Sequence, residues 1–410
     1  MMKNLKSLLN NQITQIRKGG LLMLLRKTGV ILLTPVLLLT VLFIRLLRPL
    51  VLIRFGGLIS SRLGHFAGNV ELYFCNRDLN KNKSRTLDIF YHTSFICNRQ
   101  LEKMWKRVLY ISPIANWLDK INRFIPGWES HEISSIDTDR DVSGLLDRTQ
   151  PHISFSPEEE LFGRNELQKL GVYNGSPFIC FLSRDSAYLD NALPDDNWRY
   201  HDYRDSNIKN FVSAIEELTR RGYFALRMGT MVKQPLETAN PMIIDYAVKH
   251  RTEFLDIFLG AKCYFYLGDS CGFHAIPVIF RRPLAIVNMI PLEYAPTWSS
   301  DYLFIPKKLW LRSESRFLTF REILGSEKGR MYDTEEYEKL GIEVIENTPE
   351  EIVSVAIEMD KRLKGKWKTT EEDEKLQKMF QSLFKPSEFH GKIVSRIGAE
   401  FLRQNKKLLE

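Results

Sequence analysis

Apolar positions in this chain recur as short runs divided by stretches of mixed character. "LVLIRF" (50–55) reads as a buried strand, followed by the turn-rich "GGLISSRLGHFAGN" and a further apolar stretch. "TLDIFY" (86–91) and "RVLYIS" (107–112) repeat the strand pattern, with helix-like stretches over 98–106 and 115–124. Strands alternating with helices predict an α/β domain with a parallel sheet over residues 49–155. Its last part, 125–155, is irregular and polar.

At Ser156 the pattern restarts. Ser156-Pro157-Glu158-Glu159 supplies an N-cap, a proline at the first helical position and a glutamate three residues on. A helix is expected from there to Leu170, stopped by Gly171. Strands at 177–183, 223–228, 263–267 and 283–288, with helical stretches over 208–221 and 254–261, predict a second doubly wound unit over 156–348. Residues 349–410 turn helical and charged and read as a C-terminal helical tail.

Charge changes the reading of the N-terminus. The 410 residues carry a net +8, yet Lys3, Lys6, Arg17, Lys18, Arg26, Lys27, Arg45, Arg48, Arg54 and Arg62 face no Asp or Glu within residues 1–70. The remainder is nearly neutral, which argues against a nucleic-acid surface. Residues 28–44 are all uncharged and flanked by basic residues. Spanning a bilayer takes about 20 apolar residues, and this run is shorter and holds Pro35. Residues 1–48 are therefore expected to associate with the membrane, as a short anchor or as a re-entrant or surface-lying element, with the body on the cytoplasmic face of the plasma (inner) membrane. A buried core helix is the alternative. Five scattered cysteines without a C-x-x-C suggest free thiols in a reducing compartment.

Loops at the carboxyl ends of parallel strands are where such sheets bind ligands. Four qualify: Arg62-Leu63-Gly64-His65, Arg184-Asp185-Ser186, Arg227-Met228-Gly229 and Gly268-Asp269-Ser270-Cys271-Gly272. Guanidinium forks beside a glycine-rich helix start suit a diphosphate. The last loop also satisfies G-x-S-x-G, the nucleophile elbow of serine hydrolases. Beyond Ser270 the sequence offers His274, one turn away, and His390, in the charged tail, both poor partners for a nucleophile. Ser270 reads better as a phosphate or sugar contact. The run from Asp137 to Asp141 contains a D-x-D pattern that could hold a divalent metal, or simply be a solvated loop. A loop mixing Trp198, Tyr200, His201, Asp202, Tyr203, Arg204 and Asp205 suits a sugar face or a lid.

The segments "RDSAYLD", "DDNWRYHDYRDSNI", "LRMG", "IIDYA", "FLDIFLGAKC" and "GDSCGFHAIPVIFRRPLAIVN", preceded by "RLGHFAGNVELY", resemble a family of bacterial glycosyltransferases associated with surface carbohydrate biosynthesis. The resemblance spans residues 45–310. It implies a GT-B-like fold, two Rossmann-like domains facing a cleft, and a nucleotide-sugar donor with a glycan or lipid-linked acceptor. Arg184 also resembles, by fold-level analogy, the donor-phosphate arginine of fucosyltransferases. On this reading Arg184, Arg227, Gly229, Asp269, Ser270, Cys271 and Gly272 bind the nucleotide sugar, with Tyr188, His201, Tyr203 and Arg204 beside them. His65 is the expected general base, with Asp202 or Asp185 as substitutes. No cofactor or metal is required, since arginines and a helix start can carry the charge. The rivals are a membrane-associated esterase using Ser270 and a non-catalytic scaffold of an envelope-polysaccharide assembly.

Overall fold

The computed structural model describes residues 33–80, 85–134, 138–173, 175–192 and 197–410. Residues 1–32, most of the expected membrane segment, lie outside the described residues, as does Asp137. Two compact units emerge, and the chain passes between them more than once. Residues 33–58, 85–93 and 109–134 belong to the first; 59–80, 94–108 and the described residues from 138 onward belong to the second. The two units are thus interleaved along the chain.

In the first unit β1 (Leu52–Leu58) and β2 (Thr86–His92) pair in parallel, and single bridges at Glu132 and Ile111 widen the sheet. The strand expected over 107–112 shrinks to that one bridge. Arg107 and Val108 are drawn instead into the last turns of helix Arg99–Trp105, donating to the carbonyls of Met104 and Trp105. Helix α1 (33–46) packs Leu37, Val41 and Ile44 against Ile53, Phe55, Tyr91, Ala115 and Leu118. These residues are spaced three and four apart, so they form one helical stripe. Arg45 ties the end of α1 down, donating from Nε to Asn122 Oδ1 (2.9 Å) and from Nη1 to the Pro126 carbonyl (2.7 Å). The described part of the expected anchor is therefore a structural helix of this unit. Among the described residues, no helix is long and apolar enough to cross a membrane.

The second unit is built on a seven-stranded sheet. Its strands are β3 (Phe178–Leu182), β4 (Phe224–Arg227), β5 (Ile243–Ile244), β6 (Tyr266–Gly268), β7 (Leu284–Met289) and β8 (Tyr302–Pro306), plus a last strand near the C-terminus. Three more, β9 (Lys308–Leu311), β10 (Arg316–Phe317) and β11 (Ile342–Ile345), form a small antiparallel sheet. Strand β12 (Arg396–Ile397) joins the large sheet beside β8. Across that sheet the order is β12-β8-β7-β6-β3-β4-β5, with every pairing parallel. The mixed α/β class and the parallel sheet agree with the sequence. In the C-terminal segment β12 extends the sheet, and helix Pro349–Leu363 packs against helix Val212–Arg220, β7 and β8.

Chain order reverses between β3 and β6. From β3 the sheet grows through β4 to β5; from β6 it grows the other way, through β7 and β8. Loops leaving such a central pair turn to opposite sides and open a crevice at the carboxyl ends, where doubly wound sheets take their ligands.

Candidate donor-binding site

At this switch point the exits of β3 and β6 are fastened together. The Arg184 backbone N–H donates to Asp269 Oδ2 at 2.6 Å, and the Asp269 N–H donates to the Leu182 carbonyl at 3.1 Å. Asp269 Oδ2 also accepts from Ser206 Oγ, and Oδ1 accepts from Asn288 Nδ2 at 3.0 Å. Burial raises the Asp269 carboxyl to about 6, against the pull of these hydrogen bonds. Asp269, 2% exposed, is thus an internal brace joining three loops. Asn288 continues the brace through reciprocal bonds with Asn347, at 2.6 and 2.7 Å. Gly268 is required here: a Cβ would lie 2.3 Å from the Leu182 carbonyl oxygen.

Above the brace sits a group of cations. Arg184 Nη1 contacts Asp205 Oδ1 and donates to the His201 carbonyl at 3.2 Å. Arg204 donates from Nη2 to the Ser270 carbonyl at 2.7 Å and makes no salt bridge among the described residues. Buried Lys307 reaches the carbonyls of Asp205 (2.6 Å) and Tyr203 (3.1 Å) and fixes the loop between them. His201 registers the surrounding charge. Burial first, then Arg204, Arg184 and Arg62, push its imidazole down to about 4, so it is neutral at pH 7. Its buried Nδ1 has no hydrogen-bond partner among the described residues. Burial also lowers the Arg204 guanidinium, with Arg184 second. The lowered Arg204 and His201 stand in a positive field that an anion would relieve.

The start of α2 (Leu63–Leu79) belongs to the same place. Arg62 is its N-cap but gives no side-chain cap, leaving the N–H groups of the first turn without that partner. Gly64 meets the β6 loop backbone to backbone: a Cβ on Gly64 would lie 3.2 Å from Gly272 Cα, and one on Gly272 would lie 3.3 Å from Gly64 N. One residue on, half-buried His65 places Nδ1 3.3 Å from Asn69 Oδ1. In the tautomer whose Nδ1–H donates a hydrogen bond to the Asn69 oxygen, the Nε2 lone pair is left to act as a base.

Other expected residues lie elsewhere or serve the scaffold. Arg227 is 1% exposed and donates to the Gln234 carbonyl (2.8 Å) and Asp245 Oδ2 (3.4 Å), so its guanidinium is spent inside the unit. Gly229 holds φ +153° in the turn after β4, where a Cβ would press on Val232 at 2.9 Å. Asp185 accepts from the N–H groups of Ala187 and Lys233, both at 3.0 Å, and so organises its loop. Asp202 is exposed. Tyr203 is buried against Tyr337, and Tyr188 lies near Cys97 and Arg251. The Cys271 N–H donates to His274 Nδ1 at 3.0 Å, and burial pushes the His274 imidazole down to about 4. His274 is therefore committed to its own turn, and no imidazole is hydrogen-bonded to Ser270 among the described residues. His390 is bonded to the Lys385 carbonyl.

The acidic run also resolves into structure. Arg140 donates to the carbonyls of Tyr294, Ala295 and Phe389, and Asp141 accepts from the N–H groups of Leu145 and Leu146. Asp139 is exposed. Among the described residues, the group with metal-ligand geometry is Glu71, Cys75 and His152. The Arg281 guanidinium lies on it, 2.6 Å from Glu71 and 3.6 Å from Cys75 Sγ, where a cation would be repelled. Sequence reasoning placed Asp205 only within its loop and singled out none of Ser206, Asn288, Lys307 and Asn347.

No family model and no curated protein matches the sequence. Among solved structures, a glycosyl transferase family 9 protein from Veillonella parvula is similar over 62% of this chain and 85% of its own, at 12% identity and a TM-score of 0.40. The ADP-heptose LPS heptosyltransferase II of E. coli is similar over 62% of this chain and 90% of its own, at 15% identity and a TM-score of 0.36. The iron-containing dodecameric heptosyltransferase TibC, in complex with ADP-D-β-D-heptose, is similar over 58% of each chain, at 11% identity and a TM-score of 0.29. These neighbours are glycosyltransferases. The functional reading of this chain rests on its own site and motifs.

Proposed function

We propose that this protein is a glycosyltransferase that moves a sugar from a nucleotide-sugar donor to an acceptor in surface-glycan biosynthesis. The observation that carries the reading is the cation group of Arg62, Arg184 and Arg204 at the β3–β6 switch point, beside the uncapped start of α2. Such a group fits the diphosphate of a donor, and the resemblance of the long motifs to those of surface-carbohydrate glycosyltransferases supports a sugar as the transferred group.

In the reaction, the acceptor hydroxyl oxygen bonds to the anomeric carbon as the bond from that carbon to the diphosphate oxygen breaks. His65 Nε2 takes the hydroxyl proton. Arg184, Arg204 and the first-turn N–H groups of α2 stabilise the charge that develops on the leaving diphosphate. Asp269 acts indirectly, by holding Arg184 and the Ser270–Gly272 loop in register. The neutral state of His201 suits it to hydrogen-bond the donor without adding to the repulsion among the arginines.

A thermal-shift panel of UDP, GDP, ADP, CMP and dTDP tests the reading. The account expects at least one nucleoside diphosphate to raise the melting temperature, and Arg184→Ala to cancel the rise. Silence across the panel, or a rise unaffected by Arg184→Ala, would overturn it.

A further inference from the structure

Helix α1 is apolar on every side, but only one stripe of it is packed. Opposite Leu37, Val41 and Ile44 stand Val36, Leu39, Leu42, Phe43 and Leu46, with Leu39 68% and Leu46 75% exposed. Leu50, just beyond the helix, is 71% exposed, and Phe124, in the segment that Arg45 grips, is 88% exposed. A helix that is apolar all round belongs either in a core or in lipid. This one has its inner third in a core. The described turns of α1, residues 33–46, rise about 21 Å, against a hydrocarbon core of about 30 Å.

We infer that the outer face of α1, with Leu50 and Phe124, is a docking surface for an anionic lipid bilayer, in which the helix lies along the interface and the first unit rides on top. Charge complementarity selects this occupant. Residues 1–70 hold basic residues at ten positions and no acidic residue; in the same unit Arg48 and Lys120 are exposed, while Arg123 is paired with Asp119 and Glu132. A second protein copy would have to bury those like charges against their own images, whereas anionic headgroups neutralise them. The inference is independent of the donor site, because it concerns the first unit and is read by binding, not by turnover.

The test is co-sedimentation of the full chain with vesicles of phosphatidylcholine, with and without phosphatidylglycerol, in low salt and in 1 M NaCl. Leu39→Glu/Leu46→Glu changes two exposed side chains and should leave the melting temperature unchanged. Wild type is expected to bind phosphatidylglycerol vesicles and to stay bound in high salt, through apolar insertion. The double variant should partition at least about tenfold more weakly in high salt. Equal binding by the two proteins would overturn the inference. So would a vesicle-indifferent dimer that the double variant dissociates, since the face would then belong to a second copy.

Discussion

Replacing Arg204 with glutamine separates the roles of charge and scaffold at the switch point. Arg204 makes no salt bridge among the described residues, and its guanidinium donates to the Ser270 carbonyl at 2.7 Å. After burial, it is the largest influence holding His201 near 4, with Arg184 and Arg62 behind it. In Arg204→Gln the His201 midpoint should therefore rise from about 4 toward its ordinary 6.5 without reaching it, because burial, the largest cause, and the other two arginines remain. The linkage has a definite sign. A histidine whose folded pKa is depressed contributes stability above about 6.5 that is lost as the pH falls toward 4, and this loss should shrink in the variant. Donor binding should move the other way. One charge-assisted contact is worth about 1.5–3 kcal/mol, or about a 10- to 150-fold rise in Kd. Histidine NMR titration and calorimetry with the nucleoside diphosphate read the two quantities separately. An unmoved His201 midpoint together with an unchanged Kd would refute the reasoning.

Arg227→Met should leave nucleotide affinity within about twofold, yet lower stability by about 3–5 kcal/mol by stranding buried Asp245, as urea unfolding would read. A large loss of affinity without loss of stability would return Arg227 to the site. Burial raises the Asp205 carboxyl to about 6 beside Arg184, so protonation below that pH removes a negative charge from the anion site. Affinity for a nucleotide sugar, whose diphosphate diester does not titrate there, should strengthen between pH 7 and 5, and Asp205→Asn should flatten the profile. Removal of residues 1–48 would strip Leu37, Val41, Ile44 and the Arg45 bonds from the first unit. Limited proteolysis should then cut residues 85–134 rapidly, whereas a truncated chain as resistant as wild type would show the segment to be a separable anchor.

What the sequence reveals here is what is local. The strands at 177–183, 223–228 and 283–288 are apolar runs bounded by turns, and each is found within a residue or two of its expected bounds. The Ser156–Glu159 capping box forms as written, with bonds of 3.0 and 3.2 Å. Helix α2 escapes the same reasoning because Phe66 through Cys75 are buried on all sides, which erases the periodic contrast. Arg62 is also an unusual N-cap. Strand β12 escapes because Arg396 and Ile397 gain their strand character from pairing with β8, far away in sequence. In the site, Arg184, Arg204 and the 268–272 loop are legible as strand exits and loop chemistry. The brace of Asp269, Ser206, Asn288 and Asn347 is legible only once the sheet order brings β3, β6 and β7 together. Arg227 misleads for the same reason: its ion pair with Asp245 depends on β5 standing beside β4.

The central claim is that a donor diphosphate sits where α2 meets the β6 loop, and the close approach of Gly64 to Gly272 tests it most directly. Calorimetric titration of a nucleoside diphosphate into wild type, Gly64→Val and Ser270→Ala compares the backbone cradle with the serine hydroxyl. A valine at Gly64 would bring its Cβ to 3.2 Å from the Gly272 backbone and push the start of α2 away from the β6 loop, so binding should fall at least about 100-fold. Ser270→Ala should lose about 0.5–1.5 kcal/mol, roughly two- to tenfold. The reverse ranking, with Gly64→Val folded and binding normally while Ser270→Ala loses all binding or activity, would contradict the account.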